Sequence, residues 1–153
     1  MRVPAPASPS PPHSIPPHHR LLLTLLSLVL LLLALLPREL WSMDEAIVGT
    51  IIREMVVDGE WLVPHVNGER YADKPPLYYW LAALPAVFDM LRPVWFRLPS
   101  ALAAIGCLWL IYGLGARLFH PATGLLAAVM LATSPLFTVS AQMARMDLLL
   151  TLL

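Results

Sequence analysis

The chain has 153 residues, of which 58% are hydrophobic and 13% charged, with a mean hydropathy of +0.70. Soluble domains carry about 25% charged residues, so the composition excludes a water-soluble globular domain. Ten basic residues balance ten acidic ones, which excludes a basic field suited to nucleic acid, and the single cysteine, Cys107, excludes an internal disulfide.

Residues 1–19 hold seven of the sixteen prolines and little that is apolar, which predicts a disordered or polyproline-like cytoplasmic tail. His13, His18 and His19 have no cysteine or carboxylate beside them, so they read as part of a solvated tail rather than a metal site. Residues 20–37 form the first predicted transmembrane helix. Leu21 to Pro37 is uncharged and Leu-rich, about 25 Å long as helix, at the short end of what a bilayer needs. A signal peptide has a shorter apolar core ending at a small-residue cleavage site. Pro37-Arg38-Glu39-Leu40-Trp41 is not such a site, so the span is expected to stay uncleaved. Arg2 and Arg20 precede it and place the N-terminus in the cytoplasm.

Residues 38–97 are expected to form an extracytoplasmic loop with amphipathic and interfacial helices. Twelve of the twenty charges fall within 38–74, eight acidic and four basic. Ser42-Met43-Asp44-Glu45 fits a capping box, with Ser42 as N-cap and Glu45 three residues on. Ile47, Val48, Ile51, Ile52, Met55 and Val56 then recur at helical spacing until Asp58-Gly59. Such a helix can lie on a membrane or pack on a protein core. Pro75 to Phe88 is uncharged but contains Pro85 and is too short to cross comfortably, so it is read as interfacial or re-entrant.

Residues 98–153 are expected to hold transmembrane helices two and three and the start of a fourth. Leu98 to Ala116 is one uncharged run, and Ala122 to Ala144 is another, interrupted by Ser134-Pro135. The chain stops inside a new apolar run, Leu148 to Leu153, which predicts the N-terminal portion of a larger all-α, polytopic membrane helical bundle. With 75–91 not crossing, Arg117 is cytoplasmic and Asp147 shares the outer side with Asp44.

Ionisable residues at membrane depth are costly and therefore candidates for function. Asp44, Glu45, Lys74, Arg97, Arg145 and Asp147 all fall near the outer interface in this topology, where they can converge on one cavity. Each has a plainer reading. Acids in a first helical turn complement the helix dipole, and Lys74 and Arg97 can anchor at headgroups. Arg145 and Asp147, two apart, point differently on a helix. Tyr78, Tyr79 and Trp80 can line a prenyl groove or form an interfacial belt.

The run Trp61 to Trp80, containing Asn67-Gly68-Glu69 and Lys74-Pro75-Pro76-Leu77-Tyr78-Tyr79-Trp80, closely resembles one family. So do Trp41-Ser42-Met43-Asp44-Glu45, Arg97-Leu98-Pro99-Ser100, Ala132-Thr133-Ser134-Pro135-Leu136 and Ala144-Arg145-Met146-Asp147. The chain is similar over residues 38–153 to the bacterial aminoarabinose transferases that decorate lipid A, relatives of protein O-mannosyltransferases with the C-type (GT-C) membrane glycosyltransferase fold.

That resemblance implies transfer of a sugar from a polyprenyl phosphate donor, such as undecaprenyl phosphate, to an extracytoplasmic acceptor: lipid A, a cell-wall glycan or a protein. It implies a multi-pass protein of the bacterial inner membrane, with membrane lipid as a partner and no nucleotide sugar. Asp44 falls at the catalytic aspartate, with Glu45 beside it and Asp147 at the second acidic position. Lys74 falls at the lysine associated with lipid phosphate, with Arg97 and Arg145 as further phosphate-neutralising candidates. Family members usually carry Glu before that lysine, where this chain has Asp73, so a divalent metal stays open. The alternative from a different class is a non-catalytic transporter or scaffold with an acidic outer loop.

Overall fold

The computed structural model describes residues 15–37, 39–40, 42–88 and 92–153. Of the expected tail, residues 1–14, including His13, lie outside the described residues. Helix α1 (Pro17–Ala34) starts with Pro at its first position, where the missing N–H costs nothing. His18 and His19 are therefore helical, which corrects their reading as solvated tail. His19 is buried, its Nδ1 3.1 Å from the Tyr112 hydroxyl.

Helix α2 (Met43–Asp58) begins as the capping pattern predicts: the Ser42 hydroxyl accepts the Glu45 N–H at 3.2 Å. It ends where Gly59 takes a left-handed φ of 76°, a conformation that favours glycine. The Glu45 carboxylate turns inward, to partners described below. The apolar stripe of α2, Val48, Ile51, Ile52 and Met55, is buried in one core with Tyr78, Tyr79, Phe96 and Met146. Packing on protein is thus the arrangement adopted. An antiparallel hairpin follows, β1 (His65–Val66) and β2 (Glu69–Arg70). Asn67 (φ 55°) and Gly68 (φ 79°) make its turn, and the Glu54 carboxylate accepts both their N–H groups, at 2.8 and 3.4 Å.

Helix α3 (Leu77–Ala83) runs into a 3₁₀ turn (Leu84–Phe88). Then α4 (Pro93–Phe96) leads through Arg97 into α5 (Leu98–Leu118). The Tyr78 hydroxyl donates to the Phe96 carbonyl at 2.9 Å, so α3 sits at the N-terminal end of α5. Helices α1 and α5 run antiparallel: Leu30 packs with Ala103 and Ala104, and Leu23 with Tyr112. Among the described residues, Pro17–Ala34 and Pro93–Leu118 are long and apolar enough to cross a membrane, each with a mean hydropathy of 1.7.

Helices α6 (Pro121–Thr133) and α7 (Pro135–Ala141) divide the apolar run over 122–144 at the Ser134-Pro135 interruption. They bend by 70° at Ser134. Pro135 supplies no N–H and forces Ser134 out of the helical region, to ψ 122°. The Thr138 hydroxyl donates to the Ala132 carbonyl at 2.9 Å, satisfying a group the break would strand. Helix α8 (Asp147–Leu152) closes the described chain. The N-terminal ends of α2, α5 and α8 therefore meet at one end of the bundle, while His19, Tyr112 and the α5–α6 turn lie at the other.

Helices α5 and α6 touch backbone to backbone. A Cβ on Gly124 would run into the Tyr112 carbonyl oxygen and come within 2.7 Å of the Ala116 nitrogen, neither of which can move aside. Gly124→Ala is expected to destabilise the protein by about 1–3 kcal/mol, read from unfolding in detergent. Gly113→Ala, whose Cβ would meet nothing within 4 Å, serves as the control. Equal midpoints for the two variants would contradict this close contact.

Candidate active site

The deepest polar contact joins the first turn of α2 to the entry of α5. Glu45 and Arg97 are both 0% exposed, and Arg97 Nε donates to Glu45 Oε1 at 2.9 Å. The same oxygen accepts the Ala144 N–H at 3.1 Å, and Arg97 Nη2 donates to the Glu39 carbonyl at 3.0 Å. One buried carboxylate oxygen thus ties α2, α5 and the loop after α7 together. Charges this deep persist only when paired and hydrogen-bonded. Glu45 and Arg97, expected in catalysis and at the donor phosphate, are thus placed against each other in the buried layer.

A second buried contact lies beside the first. The Ser100 hydroxyl donates to the Arg145 carbonyl at 2.6 Å and accepts the Arg145 N–H at 3.2 Å. The Tyr78 hydroxyl is 2.8 Å from Ser100 Oγ. Burial, helped by the Glu45 and Tyr79 charges, pushes the Tyr78 hydroxyl well above the ordinary phenol range, against the opposing pull of the Ser100 hydrogen bond. Tyr79 is pushed up to about 12 by burial first and by Tyr71 and Asp73 next. Its hydroxyl is the one buried side-chain polar atom without a hydrogen-bond partner among the described residues. With both rings 1% exposed or less, Tyr78 and Tyr79 belong to the core.

The water-facing layer sits on this scaffold. Arg145 Nη2 is 3.2 Å from Asp44 Oδ2, and Arg145 Nε is 3.1 Å from Asp147 Oδ2. The three side chains are 40%, 42% and 59% exposed in the order Arg145, Asp44, Asp147. Two carboxylates from different helices, far apart in sequence, thus share one guanidinium. Lys74 stands apart. It is half-buried in the turn before α3 and has no ion pair or hydrogen bond among the described residues. No three His, Cys, Asp or Glu side chains among the described residues converge to hold a metal ion. The two acids that do meet, Asp44 and Asp147, share the Arg145 guanidinium.

An apolar groove of about 280 Å³ is lined by Leu81, Leu84, Leu98, Leu102, Leu149 and Leu152, among others. Helix α8 contributes to both features, with Asp147 on the charged side and Leu149 and Leu152 on the apolar one. Neither Ser100 nor the groove residues of α8 stand out in the sequence. The only signal for Ser100 is its place in the Arg97-Leu98-Pro99-Ser100 motif.

Arg97→Leu would strand the buried Glu45 carboxylate and is expected to cost about 3–5 kcal/mol of stability. Arg145→Gln, at the exposed pair, should cost no more than about 1 kcal/mol. Unfolding midpoints in detergent compare the two, and similar losses would contradict the assignment of Glu45–Arg97 as the structural pair.

Comparison with known proteins identifies the family and the fold. Residues 73–153 match the model of the family described as dolichyl-phosphate-mannose-protein mannosyltransferase. Undecaprenyl phosphate-alpha-4-amino-4-deoxy-L-arabinose arabinosyl transferase 1 of Pseudomonas fluorescens is 42% identical over 91 residues, covering 58% of this chain and 16% of that protein. The corresponding transferase of Erwinia tasmaniensis is 33% identical over 135 residues, covering 88% of this chain and 24% of its own length. Among solved structures, ArnT from Cupriavidus metallidurans bound to undecaprenyl phosphate superposes with a TM-score of 0.75 at 25% identity, covering 84% of this chain and 24% of that one. The chain thus spans between a sixth and a quarter of the length of these relatives. The apolar helices and this shared fold make it a membrane-embedded protein, and the match over more than half its length shows that the chain belongs to the dolichyl-phosphate-mannose-protein mannosyltransferase family.

Proposed function

We propose that this chain supplies the donor end of a membrane glycosyltransferase that moves a sugar from a polyprenyl phosphate to an acceptor hydroxyl. The observation that carries the reading is the junction of an acid-and-arginine cluster with an apolar groove through α8. A lipid-linked sugar needs both, because its prenyl tail must leave water while its phosphate and sugar stay among polar groups. The relatives named above use undecaprenyl phosphate-linked aminoarabinose by name, which makes that donor the first to test. Lipid A, a cell-wall glycan or protein supplies the acceptor.

In this reading the acceptor oxygen attacks the anomeric carbon and the bond from that carbon to the phosphate oxygen breaks. The bonding electrons leave with the phosphate, and the acceptor proton passes to the Asp44 carboxylate. A single displacement inverts the anomeric configuration. The transition state has oxocarbenium character, as in glycoside hydrolysis, so a nearby carboxylate also stabilises the positive charge that develops. Lys74, free of other partners among the described residues, neutralises the leaving phosphate.

The orientation follows from charge. Arg2, Arg20 and Arg117 place the tail and the α5–α6 turn on the cytoplasmic side of the bacterial inner membrane. The spans are then 20–37 and those within 98–153, with 38–97 as the extracytoplasmic region that presents Asp44. The bent pair α6–α7 returns the chain to that side.

Asp44→Asn in the full-length protein is expected to lower transfer at least about 10²-fold with membrane insertion intact; near-normal transfer would sink the assignment. Lys74→Ala should weaken donor binding about tenfold, the loss of one charge-assisted contact. Titration of undecaprenyl phosphate reads this effect, and unchanged affinity would make Lys74 an interface anchor only.

A further inference from the structure

Arg145 is held from both sides of its own backbone. Ser100, 0% exposed, takes its N–H and gives a proton to its carbonyl, and the N–H of the preceding residue, Ala144, is fixed by Glu45. The guanidinium therefore leaves the buried scaffold at a set point and meets Asp44 and Asp147 at 3.2 and 3.1 Å. An exposed ion pair stabilises a protein by only about 0–1 kcal/mol, so stability does not explain so much buried support. Geometry does.

Only one oxygen of Asp44, Oδ2, is engaged by Arg145, and Oδ1 has no partner among the described residues. Pairing Oδ2 with the guanidinium leaves Oδ1 as the Asp44 oxygen open to accept a proton. Asp147, the most exposed of the three, meets the same guanidinium through Nε, on the same edge as Nη2. Paired with both carboxylates, Arg145 is kept beside Asp44.

We propose that Arg145 is a positioning residue that aims the Asp44 carboxylate, and that Asp147 acts only by holding Arg145. This rests on the reading of Asp44 as the base. It gives Asp147 no proton to move and Arg145 no phosphate to bind, in contrast to the roles their motif positions suggest.

A two-by-two cycle of Arg145→Gln and Asp147→Asn in the full-length protein, with kcat and donor KM measured separately, tests it. Misaiming a reacting group costs up to about 10²-fold. Arg145→Gln is therefore expected to lower kcat by about 10²-fold and Asp147→Asn by about tenfold, with donor KM within about twofold of the parent. The double variant should match Arg145→Gln alone, because residues acting through one another are non-additive. Added guanidinium should restore Arg145→Ala, and restore it less when Asp147 is also replaced. Losses that multiply in the double variant would overturn the proposal, as would a raised donor KM at unchanged kcat. If Arg145→Gln fails to insert, Arg145→Lys completes the same cycle, since one ammonium does not reproduce the planar Nε and Nη2 contact with two carboxylates. Asp44→Asn separates the two readings. Near-normal transfer there removes the base assignment itself, whereas an inactive Asp44→Asn with a multiplicative cycle removes only this inference.

Discussion

The arrangement at the charged end of the bundle depends on one carboxylate oxygen. Glu45 Oε1 binds the Arg97 guanidinium and the Ala144 N–H at once, with neither Glu45 nor Arg97 open to solvent. A buried ion pair is a poor source of net stability, since desolvation offsets most of the attraction. Its consequence here is positional. The first turn of α2, the entry to α5 and the loop after α7 cannot separate without leaving a bare charge in the core. Because Asp44 is the residue before Glu45, and Arg145 the residue after Ala144, the buried contact determines where the surface contact forms.

The apolar part of the fold serves the same end. Antiparallel α1 and α5 fix the depth of the bundle, and the close contact of Gly115 and Gly124 lets α6 return directly along α5. The bend at Ser134-Pro135 then turns the chain so that 142–147 reaches α2. A straight α6–α7 would carry Arg145 elsewhere. Ser100 completes the attachment by satisfying both backbone groups of Arg145 in a place where water cannot, and the Tyr78 hydroxyl sits 2.8 Å from the same Ser100 oxygen.

Much of this was legible in the residue pattern. Uncharged runs located α1 and α5, Ser42 and Gly59 bounded α2, and the prolines at 85 and 135 marked interruptions. The motif residues Asp44, Glu45, Arg97, Arg145 and Asp147 do come together. What the pattern could not divide was their labour. Adjacent residues on a helix point about 100° apart, so Asp44 faces water while Glu45 faces the core, and periodicity alone does not say which of two acids is buried. The same holds for Tyr78 and Tyr79, whose rings read as a prenyl groove or an interfacial belt until α2 is seen to cover them. The hairpin carried a local signal, Asn67-Gly68 between short extended segments, but two-residue strands fall below what alternation can reveal. The pairing of Ser100 with Arg145 is invisible in sequence because it joins a side chain to a backbone 45 residues away.

Two buried groups, Glu45 and Ser100, thus hold a two-residue stretch of loop so that one guanidinium stands between two carboxylates. Amide hydrogen exchange at Ala144 and Arg145 tests that claim most directly. Slow exchange at both is expected in the parent protein, with Glu45→Gln releasing Ala144 and Ser100→Ala releasing Arg145, each by at least about tenfold, the loss of one hydrogen bond of roughly 1.4 kcal/mol. Rapid exchange at both amides in the parent, or no change in either variant, would contradict the account.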